Sequence, residues 1–188
     1  MENQISDMQP NIEKKQTSKL FTCISWAIIV ILLFVLCFFI YTNFFCMKIS
    51  VEGSSMSPTL ESGDEIIASR FKKAKVGDVV VITGEKKDEL IIKRVIATEG
   101  QTVKIQDGYV FIDGKQIDEP YLKVQGKTDA HLWNTERTLK ENEVFFLGDN
   151  RLVSEDSRSA YGTCSIDQIV GVVPKWAISI KGTLKFFI

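Results

Sequence analysis

The sequence predicts a mostly β fold, a domain of antiparallel sheets behind one N-terminal transmembrane helix. Three observations carry this. From Leu20 to Met47 the chain has no Asp, Glu, Lys or Arg, and Ile28 to Ile40 is almost wholly aliphatic and Phe. Beyond Lys48, short runs rich in Val and Ile recur, broken by Gly and Asp. Neither a second long apolar run nor a strong amphipathic-helix pattern follows.

Residues 1–19 are polar, with few large apolar groups, and 1–18 are expected to be a disordered cytoplasmic tail. Residues 20–47 form the anchor. A cleaved signal peptide is the alternative, but its apolar region is only about 7–15 residues and ends in small residues. This run is longer and ends in Asn43-Phe44-Phe45-Cys46, which is bulky. Lys14, Lys15 and Lys19 precede it closely and only Lys48 follows, which puts the N-terminus in the cytoplasm and residues 48–188 outside the cell membrane. The lipid bilayer is thus an expected partner of this single-pass chain.

In the exported part, strands are expected at Ile49–Glu52, Ile66–Ala68, Val79–Ile82, Leu90–Ile96, Val103–Ile105, Tyr109–Ile112, Val144–Leu147 and Ile169–Val173. Asp107-Gly108 and Asp113-Gly114 mark tight turns between them. The apolar stretch Trp176–Ile180 also reads as a strand.

A net charge of −1 offers no electrostatic basis for nucleic-acid binding. No pair of the four cysteines has metal or redox spacing, so no metal site is expected, although a disulfide between Cys46 and Cys164 stays open. The single histidine, His131, sits in a polar stretch and reads as a solvated loop residue.

Three segments carry residues that local structure does not account for. In Gly53-Ser54-Ser55-Met56-Ser57-Pro58-Thr59-Leu60, Gly and Pro impose a turn that can present a side chain at a sheet end, though a plain polar loop reads the same way. In Leu90–Ile96 two cations interrupt an apolar strand. Lys93 shares a face with Ile91 and Val95, and Arg94 shares the other with Ile92 and Ile96. At least one cation is held against apolar surface, unless this is an edge strand from which both reach water. A buried Arg keeps its charge and needs a carboxylate; a buried Lys can lose its proton and act as a general base beside a serine. The third segment, Gly148-Asp149-Asn150-Arg151-Leu152-Val153-Ser154-Glu155-Asp156-Ser157-Arg158, is a solvated loop or a source of partners for those cations.

Together the three segments resemble the signature boxes of bacterial type I signal peptidases, in the same order behind an N-terminal anchor, from about Leu20 to Val173. The resemblance implies a signal-peptidase-like β-domain and a serine endopeptidase that removes signal peptides from exported preproteins. It implies Ser55 as nucleophile and Lys93 as general base, with Ser154 orienting the lysine, Asp156 and Arg158 as a supporting charged pair, and Met56 beside the site. It also implies small substrate residues at −1 and −3 and no cofactor. Residues 106–140, containing Gly108–Gly114 and Glu119–Leu122, resemble the family's variable hairpin region.

Lys93 stands where the endoplasmic-reticulum relatives carry His. There are departures from the family pattern. Ala97 stands where many members have Gly, and the spacing from Arg158 to Gly162 is one residue longer than usual. Gly53 stands where some have a Ser that serves the oxyanion hole, which leaves the backbone N–H of Ser55 and a second donor to form it. A Ser-His-Asp triad is excluded because His131 lies outside all three segments. Ser55 follows Met47 by about 8 residues, which tethers it within roughly 30 Å of the membrane. The rivals are a self-cleaving repressor, which would carry a DNA-binding helix-turn-helix in place of the anchor, and a peptide-binding β module, which has no use for both Ser55 and Lys93.

Overall fold

The structure, a computed structural model, describes residues 9–84 and 89–179. Two units are distinguished, 1–44 and 45–188. The first is the helix α1, Gln9–Phe45. Its Phe21–Phe45 portion has a mean hydropathy of 3.1, none of it is buried, and it is long and apolar enough to cross a membrane. The helix begins at Gln9, so residues 9–18 are helical where a disordered tail was expected; 1–8 lie outside the described residues. Once the apolar segment is helical, each further residue adds one hydrogen bond without a new nucleus, and Glu13-Lys14-Lys15-Gln16 are good helix formers.

The second unit is built on two antiparallel sheets. Strands β1 (Cys46–Ser50), β2 (Glu65–Ser69), β3 (Val79–Thr83), β4 (Leu90–Thr98), β9 (Glu143–Leu147), β10 (Cys164–Ser165) and β11 (Ile169–Val173) form one, in the order β1-β2-β11-β3-β4-β9-β10. Strands β5 (Thr102–Gln106), β6 (Tyr109–Ile112), β7 (Lys115–Gln116) and β8 (Arg137–Thr138) form the other, ordered β7-β6-β5-β8. Both Asp-Gly pairs make the expected hairpin turns. Asp107 and Gly108 have φ of 52° and 83°, and Asp113 and Gly114 of 52° and 75°, the paired positive values that suit the twist of a two-residue hairpin.

The two-residue strands β7, β8 and β10 go beyond the expected set, and two expected elements take another form. The first strand runs Cys46–Ser50 rather than Ile49–Glu52, because its register is set by β2, pairing Cys46 with Ser69 and Ser50 with Glu65. The expected strand at Trp176–Ile180 is a short helix, α2, Lys175–Ser179; Ile180 lies outside the described residues. Pro174 precedes it with φ already suited to a helix, and its carbonyl accepts from Ala177 N at 2.9 Å. Helical spacing then lets Ala177 and Ile178 face the core while Trp176 is exposed. The cysteines are all free, and Cys46 and Cys164 belong to the strands at opposite ends of the sheet order.

The core falls into three clusters. Val51, Met56, Leu60, Ile66, Val79, Val81 and Ile92 form one, against which Ile178 packs. Ile96, Val103, Val110, Trp133, Phe145 and Leu147 join the two sheets, with the Trp133 and Phe145 rings 4.6 Å apart. Val80, Val95, Phe146 and Val172 make the third. Strand β4 touches all three and is buried from Ile92 to Ala97, so its two cations lie at the centre of the fold. A bulge between Val95 and Ala97 shifts its register against β9.

Candidate active site

Ser55 sits in the turn that follows β1. Gly53 takes a φ of +79°, Ser57 N donates to Ser54 O at 3.1 Å, and Leu60 N donates to Met56 O at 3.0 Å. Met56 is buried with Val51, Leu60 and Ile66, which anchors the turn to the core and leaves the adjacent Ser55 half-buried at its edge. From the far side, Asn150 N donates to Ser55 O at 2.9 Å and Asn150 Nδ2 to Ser54 O at 3.1 Å. The serine is therefore held by its backbone, and its hydroxyl is free to face β4.

Lys93 answers from β4. Its Nζ lies 2.9 Å from Ser55 Oγ, and the residue is only 5% exposed. No ion pair includes Lys93 among the described residues. Burial lowers its pKa from 10.5, Asp156 and Glu155 pull it back up, Arg158 lowers it further and Asp149 raises it, and the net direction is down. Loss of the proton here turns a cation into an amine that can accept the serine's proton.

Arg94 takes the other course open to a buried cation. Its Nε and Nη2 bind Asp149 Oδ1 and Oδ2 at 2.8 and 2.6 Å, its Nη1 donates to Gly77 O at 2.8 Å, and Thr59 Oγ1 also donates to Asp149. This bidentate geometry suits a guanidinium, and it supplies the carboxylate that the strand pattern requires. Asp156 and Arg158 are fully buried and pair at 2.8 and 2.9 Å, while Asp156 Oδ2 accepts from Gly148 N at 3.0 Å. The charged pair thus grips the start of the third segment.

Ser154 differs from the expectation. Its Oγ is buried and has no hydrogen-bond partner, so the expected bond to Lys93 is not made. Lys93 extends to Ser55 instead, and Ser154 Oγ packs against the Cα of Gly148, where a Cβ would collide with it and would lie 2.5 Å from Ser55 O. Residues that the sequence reading left without a role also converge here. Glu119 and Arg151 form a buried pair with the half-buried Tyr121 beside it; Arg151 binds Glu119 and its Nε donates to Gly148 O at 3.0 Å. Arg151, a second cation beside Arg158 in a segment that also carries Asp149, Glu155 and Asp156, was the available signal. His131 is exposed, its N–H donating to Asp129 Oδ1 at 3.0 Å.

A groove of about 500 Å³ opens between residues 48–53 and 89–93, with Ser55 and Met56 on its wall. Both of its long sides are strand edges. β1 ends the sheet order, and β9 pairs with β4 only from Arg94 onward among the described residues. An extended peptide lying here has backbone partners available on two sides.

Residues 23–177 match the signal peptidase family, peptidase S26. The chain belongs to this family. Signal peptidase I T of Bacillus subtilis strain 168 is 34% identical over 172 residues, covering 86% of this chain and 88% of that protein. A signal peptidase I of Bacillus caldolyticus is 34% identical over 162 residues, 79% and 85% of the two chains. Among solved structures, a signal peptidase I from Enterococcus faecalis is 27% identical, covers 55% of this chain and 98% of that one, and superposes with a TM-score of 0.47. The chain is accordingly a peptidase of the signal peptidase I type, a hydrolase that processes the signal peptides of preproteins. For a signal peptidase the apolar helix Phe21–Phe45 is consistent with a membrane anchor.

Proposed function

We propose that this peptidase cleaves signal peptides at the outer face of the cytoplasmic membrane by Ser-Lys catalysis, with Ser55 as nucleophile and Lys93 as general base. The observation that carries this is the 2.9 Å approach of a buried amine, with no ion-pair partner among the described residues, to the Ser55 hydroxyl. Lys93 Nζ takes the proton as Ser55 Oγ attacks the scissile carbonyl. The protonated amine then returns that proton to the leaving amine of the mature protein as the C–N bond breaks. In deacylation Lys93 takes a proton from water, hydroxide attacks the acyl carbon, and the proton returns to Ser55 Oγ. Ser55 N–H is one oxyanion donor. Asp156 and Arg158 support the loop, Arg94 is held by Asp149, and Gly53 and Met56 shape the turn.

The substrate lies extended in the groove between the two strand edges, presenting small side chains at −1 and −3. Topologically, residues 1–19 are cytoplasmic, 20–47 span the lipid bilayer once and 48–188 are the extracytoplasmic catalytic domain, with 106–140 an inserted region. The test is cleavage of a peptide bearing an Ala-x-Ala site by the detergent-solubilised full chain, with the cut located by mass spectrometry. Cleavage directly after the second Ala, lost in both Ser55→Ala and Lys93→Ala, is expected. Turnover by either variant at the parent rate would overturn the reading.

A further inference from the structure

The ionic cluster beyond the Ser-Lys pair is aimed at one peptide unit. Arg151 and Glu119 are 2% and 4% exposed in their side chains. Arg151 Nη1 and Nη2 reach Glu119 Oε2 and Oε1 at 3.2 and 2.5 Å, and Nη1 also donates to Thr128 Oγ1 at 2.7 Å. Its Nε donates to Gly148 O at 3.0 Å. Glu119 in turn accepts from Tyr121 Oη at 2.8 Å, and the Tyr121 ring lies 4.0 Å from the Arg94 guanidinium carbon. Burial, reinforced by Glu119, pushes the Tyr121 phenol up, so it stays a donor.

A buried ion pair is a poor source of stability, because desolvating both charges offsets most of their attraction. What this one provides is direction. With Glu119 in place, Arg151 can approach Gly148 O in only one orientation. Gly148 N is gripped from the other side by Asp156, and Gly148 leads into Asn150, whose N–H holds Ser55 O. There is no slack at Gly148, which already abuts Ser154 Oγ and Ser55 O.

We propose that Glu119, from the segment that leaves the second sheet, is a positioning residue for Ser55, acting through Arg151 on the Gly148 carbonyl. This makes the appended sheet part of the catalytic apparatus, and it rests on the reading of Ser55 as nucleophile.

The experiment measures kcat and KM of the detergent-solubilised full chain on the Ala-x-Ala peptide across pH, well below the melting temperature of each variant. In Glu119→Gln, kcat is expected to fall about tenfold, since small misplacements of a reacting group are costly, with KM unchanged. The acid-limb midpoint is expected to stay where it was, because the charges that chiefly act on Lys93 are Asp156, Glu155, Arg158 and Asp149. A parent-like kcat, or a loss of kcat accompanied by a shifted midpoint, would overturn the proposal. If Glu119→Gln does not fold, Tyr121→Phe decides, since it deletes one donor to Glu119 and keeps the ring. A lower kcat at unchanged KM supports the proposal, and an unchanged kcat refutes it. Ser55→Ala, run beside them, separates the two failures: activity there sinks the nucleophile itself, whereas its inactivity beside a fully active Glu119 variant sinks only the positioning role.

Discussion

Gly148→Ala adds one methyl group at a place where nothing can yield cheaply. The new Cβ would lie 2.5 Å from Ser55 O, about 0.9 Å short of the ordinary 3.4 Å contact, and closer still to Ser154 Oγ. Gly148 cannot retreat, because its N and O are bound to Asp156 and Arg151. The Ser55 backbone must therefore move by most of an ångström, and the hydroxyl moves with it away from Lys93 Nζ. A displacement of about 1 Å costs on the order of 100-fold in rate. Overpacking costs stability of only about 1–3 kcal/mol against a total of about 5–15 kcal/mol, so the variant stays folded. Peptide-cleavage kinetics with circular dichroism as the fold control is the assay, and kcat is expected to fall about 100-fold with KM little changed. The double variant Gly148→Ala/Ser154→Gly should stay impaired, since it relieves the hydroxyl collision and leaves the one with Ser55 O. A folded Gly148→Ala with parent-like kcat would refute the claim that this contact fixes the serine.

Other outcomes follow from the same geometry. Lys93→Arg should be inactive in the peptide assay, because a guanidinium stays charged and cannot accept the serine's proton. Lys93→Met should be equally inactive yet melt no lower than the parent. Burial depresses the lysine's folded-state pKa below 10.5, so between that value and 10.5 the unfolded chain binds a proton that the folded one lacks, and stability rises with pH in that window. The Met variant should lose this rise, as thermal melts across alkaline pH would reveal. Asp149→Asn leaves Arg94 buried with a neutral partner and should lower stability by about 3 kcal/mol, close to 10 °C in Tm for a domain of this size. Ser154→Ala removes a buried hydroxyl that has no partner and should not lower Tm.

Much of this was legible in the sequence where a local rule applies. Short runs rich in Val and Ile and the Asp-Gly pairs located most strands, since β burial and hairpin turns leave marks within a few residues. The Lys93-Arg94 pair could be reasoned about because adjacent cations on an apolar strand pose an electrostatic problem with few solutions; Asp149 is the solution for Arg94. Ends and tails were harder. Trp176-Ala177-Ile178 looks the same as a strand or as one helical turn, and Pro174 tips the balance. The extent of β1 depends on β2, some twenty residues away. The Glu119–Arg151 pair joins two loops whose residues are 32 apart in the chain, and no spacing rule announces it. The lone Ser154 hydroxyl is a matter of side-chain packing, which motif order does not encode.

Catalysis turns on the protonation state of Lys93. The most direct measurement is an NMR titration of its ε-carbon in the intact, specifically labelled chain, followed alongside kcat/KM over the same pH range. The lysine is expected to titrate below 10.5, with the acid limb of activity tracking it, so that turnover falls as pH drops through its depressed pKa. An ε-amine that keeps its proton up to 10.5 or beyond, in an enzyme fully active at neutral pH, would contradict it.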